Sequence, residues 1–347
     1  MSVFGWGDYI DPSVIEEFTK ETGIKVTYDS YQSAGALERR IEAGKTDFDV
    51  VIVPGDSLRK EVPAGLFQKI DKSKLQNVKN LSPEVMARLD AYDRGSDYAL
   101  NYMWFTAGIA YNSAKLNEVL GDSSSLAAAA RGSGRALSWG ALFRLDNLKK
   151  FANCGVTVLD SGREMFALAL IYLKGDPGIG RWSDFMNAAD LLKVVRRHVK
   201  KFDSSSYADA LLSGEICLAV GYSAPVLRAQ ARAREAGEDA DVGFAVPKEG
   251  SLIASDNLAI LKGAPDPAEA YEFIDFLLRP EIAARNARYT GLSSGVLAPA
   301  RAEGNGAGSS QTSPGDVTLQ RLFAIPAYGP QLQRIIEQDW FRNKSGK

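Results

Sequence analysis

The chain has 347 residues, of which 45% are hydrophobic and 24% are charged, and its formal net charge at pH 7 is −2. This length is enough for two domains that each bury a core, and the composition is ordinary for a globular protein. The near-neutral charge, without a basic stripe, argues against nucleic acid as a main partner, and no apolar run reaches the roughly 18 residues of a membrane-spanning helix.

The first hundred residues alternate between strand and helix patterns. Strands are predicted at Val3-Phe4, at 24–28 and at 48–53, and the last of these is a continuous apolar run typical of a buried parallel strand. Between them, one helix is predicted to begin after Asp11 and another to run over 33–43. This βαβαβ order predicts a doubly wound α/β domain, in which ligands bind beyond the carboxyl ends of the strands.

Two polar segments follow the first and third of these strands. Trp6, Asp8 and Tyr9 come after the first strand, and Gly55-Asp56-Ser57 comes after the third. We expect both segments to project towards one crevice. The alternative, that Trp6 and Tyr9 only cap the hydrophobic core, is about equally compatible with their position.

A second α/β unit is predicted from Ile109 onward. It contains strands at 156–159, 216–220, 241–246 and 258–261, with helices at 163–174 and 267–278. The Ser/Ala/Gly/Arg-rich segment Ser123–Ala136 and the Gly/Ser-rich segment Gly304–Gly315 are predicted to be irregular loops.

No motif of a catalytic or cofactor-binding site is present. His198 is the one histidine, so a multi-histidine metal site is excluded, and Gly44-Lys45-Thr46 fails as a phosphate-binding loop because Arg39 stands where that motif needs glycine. The chain carries no Gly-x-Ser-x-Gly and no Cys-x-x-Cys sequence. We therefore expect neither an enzyme nor a cofactor. On spacing alone, Cys154 and Cys217 are nearly as compatible with two buried thiols as with one disulfide.

Aromatic and acidic side chains at predicted crevice loops suit an organic cation. An aromatic face attracts an ammonium group by about 0.5–2 kcal/mol, and a carboxylate adds a charge-assisted hydrogen bond.

Longer stretches of the sequence identify a family. The chain resembles the periplasmic polyamine-binding proteins of ABC transporters, of the putrescine and spermidine type, in segments that include "GWGDYIDPSVIEEFTKETGIKVTYD", "YMWFTAGIAYN" and "AYEFIDFLLRPE". The similarity extends over essentially the whole chain, with Ser123–Ala136 as an insertion and Gly304–Gly315 as a poor match.

The resemblance implies a fold and a setting. It implies the two-lobed, type II-like fold of periplasmic binding proteins, in which each α/β lobe has a doubly wound sheet and a ligand binds in the cleft between the lobes. The expected lobes are 1–102 with 235–284 and 103–234 with 285–347, with a hinge near 102–104 and 233–236. It also implies a periplasmic monomer that delivers its ligand to a membrane permease. The first strand begins almost at Met1 with no signal peptide before it, as we expect of a trimmed mature protein.

The resemblance also implies a disulfide and a ligand site. It favours a Cys154–Cys217 disulfide, for which chain entropy suggests a contribution of about 3–4 kcal/mol. It implies that Trp6 and Tyr9 sandwich the alkyl chain of a polyamine. The other expected ligand-binding residues are Asp8, Glu164 and Asp256 as acids, Tyr222 where a Trp is usual, and Asp56 and Ser57 from their place after the third strand.

Some positions depart from the family pattern. Pro225 stands where putrescine-binding members have an aspartate, Ala254 replaces an aromatic residue, and Leu292 falls where a tyrosine is common. Asp56 is an acid that most members lack, and it could compensate for the lost aspartate. A polyamine is the first expectation. An ω-amino acid such as 4-aminobutyrate, or a larger amine conjugate, is the alternative, and a sensory role without transport is a second alternative.

Overall fold

The computed structural model describes residues 1–42, 47–120, 137–151, 153–178, 181–237, 241–297 and 319–345. The two predicted loops, Ser123–Ala136 and Gly304–Gly315, and the predicted helix end at Gly44 lie outside the described residues.

The described residues form eleven strands and fourteen α-helices. The strands are β1 Ser2–Trp6, β2 Thr27–Tyr31, β3 Val50–Pro54, β4 Ala99–Asn112, β5 Val156–Val158, β6 Lys201–Phe202, β7 Leu218–Tyr222, β8 Val242–Ala245, β9 Ser251–Ile260, β10 Ser293–Ser294 and β11 Leu322–Ala324. The helices are α1 Pro12–Thr22, α2 Ala34–Glu42, α3 Gly55–Glu61, α4 Pro83–Leu89, α5 Ser113–Leu120, α6 Gly140–Phe143, α7 Leu145–Leu148, α8 Gly162–Tyr172, α9 Trp182–Arg196, α10 Tyr207–Leu212, α11 Ser223–Glu235, α12 Pro267–Leu277, α13 Pro280–Thr290 and α14 Pro330–Ser345. Short 3-10 helices lie at Lys72–Lys74, Val78–Asn80, Arg94–Ser96 and Lys149–Phe151.

The chain divides into two compact units. Unit 1 comprises Met1–Phe105 and Ala254–Ser313, and unit 2 comprises Thr106–Ile253 and Pro314–Lys347. The chain therefore passes from unit 1 to unit 2 inside β4, and it returns inside β9. The first crossing lies just after the expected 102–104, whereas the expected 233–236 falls at the end of α11, within unit 2.

The sheet of unit 1 is mixed. β1 pairs in parallel with both β2 and β3, so the predicted parallel βαβαβ start is confirmed. β9 then pairs with β3 in the antiparallel direction, with Pro54 opposite Asp256, and β10 pairs antiparallel to β4. β9 begins in unit 2 and continues into unit 1, where it runs in the direction opposite to β3.

Helix α1 shows how local sequence builds unit 1. The Asp11 side chain accepts a hydrogen bond from the backbone N–H of Ser13 at 2.9 Å, and Pro12 is the first helical residue, as predicted. On its inner face Phe18 is fully buried, with its ring centroid 5.0 Å from that of Phe273 in α12. The helix follows Trp6, Asp8 and Tyr9 directly, so its docking anchors that segment.

Unit 2 has its own mixed sheet. β4 pairs antiparallel to β7 and β8, while β5 pairs in parallel with β6 and β7, and β11 pairs in parallel with β9. One cluster of its core combines aliphatic residues with the buried rings of Tyr207 and Phe244. Within the described ranges, no helix combines the length and the apolar character needed to cross a bilayer.

The predicted disulfide between Cys154 and Cys217 is confirmed. Their Cα atoms are 5.5 Å apart. Each cysteine lies just before a strand, and these two strands, β5 and β7, are neighbours in the parallel direction. The backbone N–H of Cys217 also donates to the carbonyl of Gly155 at 3.2 Å, so the disulfide joins segments that the sheet already holds together.

Candidate functional site

A buried carboxylate lies at the end of unit 1's sheet that carries the carboxyl ends of its parallel strands. Asp256 is 3% exposed and lies on β9 opposite Pro54, the last residue of β3. The indole N–H of Trp6 donates to its Oδ1 at 3.0 Å, and the hydroxyl of Tyr9 donates to its Oδ2. Two residues predicted from the sequence, Trp6 and Tyr9, are therefore bonded directly to a third, Asp256, which lies about 250 positions further along the chain.

Burial opposes the charge of this carboxylate. Desolvation raises the pKa of Asp256 to about 6, the nearby charge of Asp56 adds to the effect, and the hydrogen bonds from Tyr9 and Trp6 act against it. Among the residues that the structure describes, none of the ion pairs involves Asp256, and the charged neighbour that acts on it is an acid. A bound cation would therefore relieve an electrostatic penalty at this point.

Two tyrosines of β2 surround Trp6, and the sequence did not point to them. The ring centroid of Tyr31 lies 4.4 Å from that of Trp6, directly opposite it in the parallel register, and the hydroxyl of Tyr28 donates to the Trp6 carbonyl at 2.5 Å. The sequence predicted this strand at 24–28, but it runs over Thr27–Tyr31. With the correct register, pairing with β1 would have placed Tyr31 opposite Trp6, whereas Tyr28 lies opposite Val3 and reaches the Trp6 carbonyl through its side chain.

The turn after β1 holds Asp8 in an uncommon backbone conformation. Asp8 is exposed and has φ of 54°, in the left-handed region that aspartate tolerates better than most residues. Its charge acts on Tyr28 and on Tyr289. The carbonyl of the next residue, Tyr9, accepts a hydrogen bond from the buried hydroxyl of Tyr102 at 2.9 Å, which fixes the far side of the turn.

Asp56 and Ser57 belong to a helix rather than to the predicted loop. α3 begins at Gly55, directly after β3, so Asp56 lies in its first turn and Ser57 is buried. A Cβ atom at Gly55 would lie 2.5 Å from the Ser255 hydroxyl and 2.6 Å from the ring of Tyr92. Glycine therefore allows α3 to start close to Ser255 and Tyr92, and the charge of Asp56 in its first turn acts on Asp256.

Unit 2 contains a second acid and aromatic pair. Glu164 is buried in the first turn of α8, and the hydroxyl of Tyr222 donates to its Oε1 at 3.1 Å. The positive end of the helix dipole favours a carboxylate at this position. Gly162 lets this turn pack closely, because a Cβ atom there would lie 2.8 Å from the Cβ of Trp340 in α14.

The three positions that depart from the family pattern provide neither a charged nor an aromatic side chain. Pro225 is the third residue of α11, which begins directly after Tyr222. Ala254 and Leu292 are both buried, and Ala254 lies two residues before Asp256 on β9, on the same face of the strand. In the residues described, no group of three His, Cys, Asp or Glu side chains is arranged to hold a metal ion.

Comparisons with known proteins define the class. The model of the bacterial extracellular solute-binding protein family matches residues 13–303. The chain belongs to this family, so the predicted resemblance and the α/β fold class are confirmed. Members of such a family bind solutes, in agreement with the expectation that the chain is not an enzyme.

Individual relatives of the chain are named for the polyamines that they bind. The whole chain is similar to the putrescine-binding periplasmic protein SpuD of Pseudomonas aeruginosa, with 37% identity over 92% of that protein. It is 36% identical to the putrescine-binding periplasmic protein PotF of Escherichia coli, again over all of this chain and 92% of the relative. The fold matches the solved spermidine/putrescine ABC transporter substrate-binding protein PotD of Streptococcus pneumoniae with a TM-score of 0.84, at 24% identity, over 99% of this chain and 98% of that one.

Proposed function

We propose that this protein is the periplasmic solute-binding component of an ABC importer and that it captures a polyamine of the putrescine or spermidine type for the membrane permease. The observation that carries the proposal is the buried Asp256 carboxylate with Trp6 and Tyr9 bonded to its two oxygens. A carboxylate next to aromatic side chains suits an alkylammonium group, and two relatives similar over the full chain are named for putrescine.

In the proposed complex, one ammonium group lies at Asp256, with Asp56 and Asp8 adding negative charge. Trp6 and Tyr9 contact the methylene chain, and Ser57 contributes a hydroxyl. In unit 2, Glu164 and Tyr222 form a second acid and aromatic pair that suits an ammonium group. Capture then follows the mechanism of two-lobed binding proteins. A ligand that binds the closed state more tightly than the open state favours closure, and β4 and β9, in which the chain passes from one unit to the other, serve as the hinge.

Calorimetric titration of ligand-stripped, refolded protein tests this function. Putrescine, spermidine and 4-aminobutyrate are titrated side by side at pH 8, where Asp256 is ionised. Micromolar or tighter binding of a polyamine supports the proposal. Binding of 4-aminobutyrate alone would contradict the diammonium ligand, and it would assign the site containing Pro225 and Ala254 to a singly cationic amine.

A further inference from the structure

Two acids of unit 1 occupy the same corner of the sheet. Pro54, the last residue of β3, lies opposite Asp256 in the antiparallel pair, and Asp56 follows two residues later in the first turn of α3. The charge of Asp56 acts on the Asp256 carboxylate, which is almost completely buried. A negative charge beside a buried carboxylate makes that carboxylate hold a proton more tightly.

Among the residues that the structure describes, the charged side chain that acts on the Asp256 carboxylate is that of Asp56, which is negative. The titratable and polar side chains that act on Asp256 include Trp6 at the end of β1, Tyr9 after β1, Asp56 of α3, and Asn101 of β4, which donates to the Asp256 backbone carbonyl. The charge of Asp256 acts on Tyr28 and Tyr31 of β2, on which Asp8 and Glu61 act as well. Burial raises the pKa of both Tyr28 and Tyr31 above 10, so their phenols stay neutral near pH 7. The group that titrates near neutrality at this corner is therefore Asp256, with its pKa of about 6.

We infer that Asp56 and Asp256 act as a carboxylate pair that exchanges one proton for the ammonium group of the ligand. This inference rests on the proposed function, because it takes an alkylammonium ion as the ligand. In the exchange, the protonated Asp256 carboxyl loses its proton to solvent, and the carboxylate that remains pairs with the incoming R–NH3+. No covalent bond to carbon changes and no electron is transferred.

The exchange makes ligand affinity depend on pH. With a pKa of about 6, roughly 10% of the Asp256 carboxyl is protonated at pH 7 and roughly 90% at pH 5. Affinity for an alkylammonium ligand should thus fall about tenfold between pH 7 and pH 5, because protons compete for the same carboxylate. Replacing Asp56 with asparagine removes the neighbouring charge, which should move this fall to lower pH.

Proton release measured during putrescine binding tests the exchange. Titrations at pH 6 in two buffers with different ionisation enthalpies give the number of protons released for each ligand bound. We expect about half a proton for the unaltered protein and clearly fewer for Asp56→Asn. Glu16→Gln removes one exposed charge from α1, and it should behave like the unaltered protein.

The outcomes separate this inference from the proposed function. Putrescine binding with less than about 0.1 proton released would overturn the exchange and leave polyamine binding in place. Equal release from Asp56→Asn and the unaltered protein would overturn the role of Asp56. If 4-aminobutyrate alone binds, the same titration with that ligand tests the exchange.

If none of the three amines binds at pH 8, the proposed function fails. The pair is then tested in the ligand-free protein by a carbon NMR titration of the Asp256 carboxyl. A pKa that Asp56→Asn leaves unchanged would overturn the pair, and a lowered pKa would support it.

Discussion

The hydroxyl of Tyr207 forms hydrogen bonds with both polar backbone groups of Tyr222, the carbonyl and the N–H. It donates to the Tyr222 carbonyl and accepts from the Tyr222 N–H, each at 2.8 Å. The Tyr207 ring also packs against Gly221, where a Cβ atom would collide with it. Tyr222 is the last residue of β7, opposite Ala107 of β4, and the Tyr207 phenol holds its backbone at the point from which its side chain reaches Glu164.

Removing that hydroxyl should therefore loosen Tyr222. We expect Tyr207→Phe to lower the free energy of unfolding by about 1–3 kcal/mol, because the Tyr222 N–H loses its partner in a largely buried setting. Thermal unfolding followed by circular dichroism measures the change. Tyr172→Phe is the matched control, since no hydrogen bond of the Tyr172 hydroxyl occurs within the described part of the chain. Equal midpoints for the two variants would contradict the role of Tyr207.

Trp6 should contribute strongly to ligand affinity. Trp6→Ala removes a ring that packs on Tyr31 and an N–H that donates to Asp256. We expect at least a tenfold weaker Kd for putrescine, about 1.4 kcal/mol or more, measured by calorimetry. Trp182→Ala in unit 2 is the control, because that side chain is 57% exposed. Unchanged binding by Trp6→Ala would refute the contact proposed for this residue.

Asp256 should bind ligand at the expense of stability. Its pKa in the folded protein, about 6, lies above the reference value of 3.8, so the folded state takes up a proton more readily than the unfolded chain. The stabilisation is therefore complete below about pH 4 and is lost as the pH rises through 6. At pH 7 the ionised carboxylate destabilises the ligand-free protein.

Asp256→Asn should then show two opposite effects. In the ligand-free protein at pH 7, we expect the free energy of unfolding to rise by about 1–3 kcal/mol, and we expect the gain to disappear near pH 4. Putrescine binding should be lost. Denaturant unfolding at the two pH values and calorimetry measure these effects, and a variant that is less stable at pH 7 would contradict the electrostatic argument.

The sequence predicts the individual helices and strands of this molecule better than it predicts which of them are neighbours in the fold. The helix cap at Asp11-Pro12 and the parallel order of the first three strands follow from local patterns, and the structure contains both. The antiparallel pairing of β9 with β3 does not follow, because it joins residues about 200 positions apart in the chain. That pairing brings Asp256 to the corner where Asp56 begins α3.

The residues of the candidate site also divide into some that the sequence predicted and some that it missed. Trp6 and Tyr9 were predicted from the family pattern and from their place after a strand, and both contact Asp256. Tyr28 and Tyr31 were missed because β2 is the edge strand of its sheet. Its burial is uneven, with Thr27 and Ser30 exposed and Tyr31 buried, so the apolar alternation at 24–28 misled the choice of register.

The disulfide should stabilise unit 2 without shaping the site of unit 1. It links residues 63 positions apart, and the chain-entropy estimate for such a loop is about 3–4 kcal/mol. The double variant Cys154→Ala/Cys217→Ala should unfold at a lower temperature. A midpoint equal to that of the oxidised protein would show that the β5–β7 pairing is sufficient on its own.

Gly55 should control where Asp56 lies. Gly55→Ala places a methyl group 2.5 Å from the Ser255 hydroxyl, so α3 must move away from β9. We expect a loss of about 1–3 kcal/mol in the free energy of unfolding and weaker coupling between Asp56 and Asp256. Gly329→Ala is the control, because a Cβ atom there meets nothing within 4 Å. If α3 moves as expected, the pH at which putrescine affinity falls should shift to lower values in Gly55→Ala, as it does in Asp56→Asn. An unshifted pH profile in a destabilised variant would mean that Asp56 keeps its place by another route.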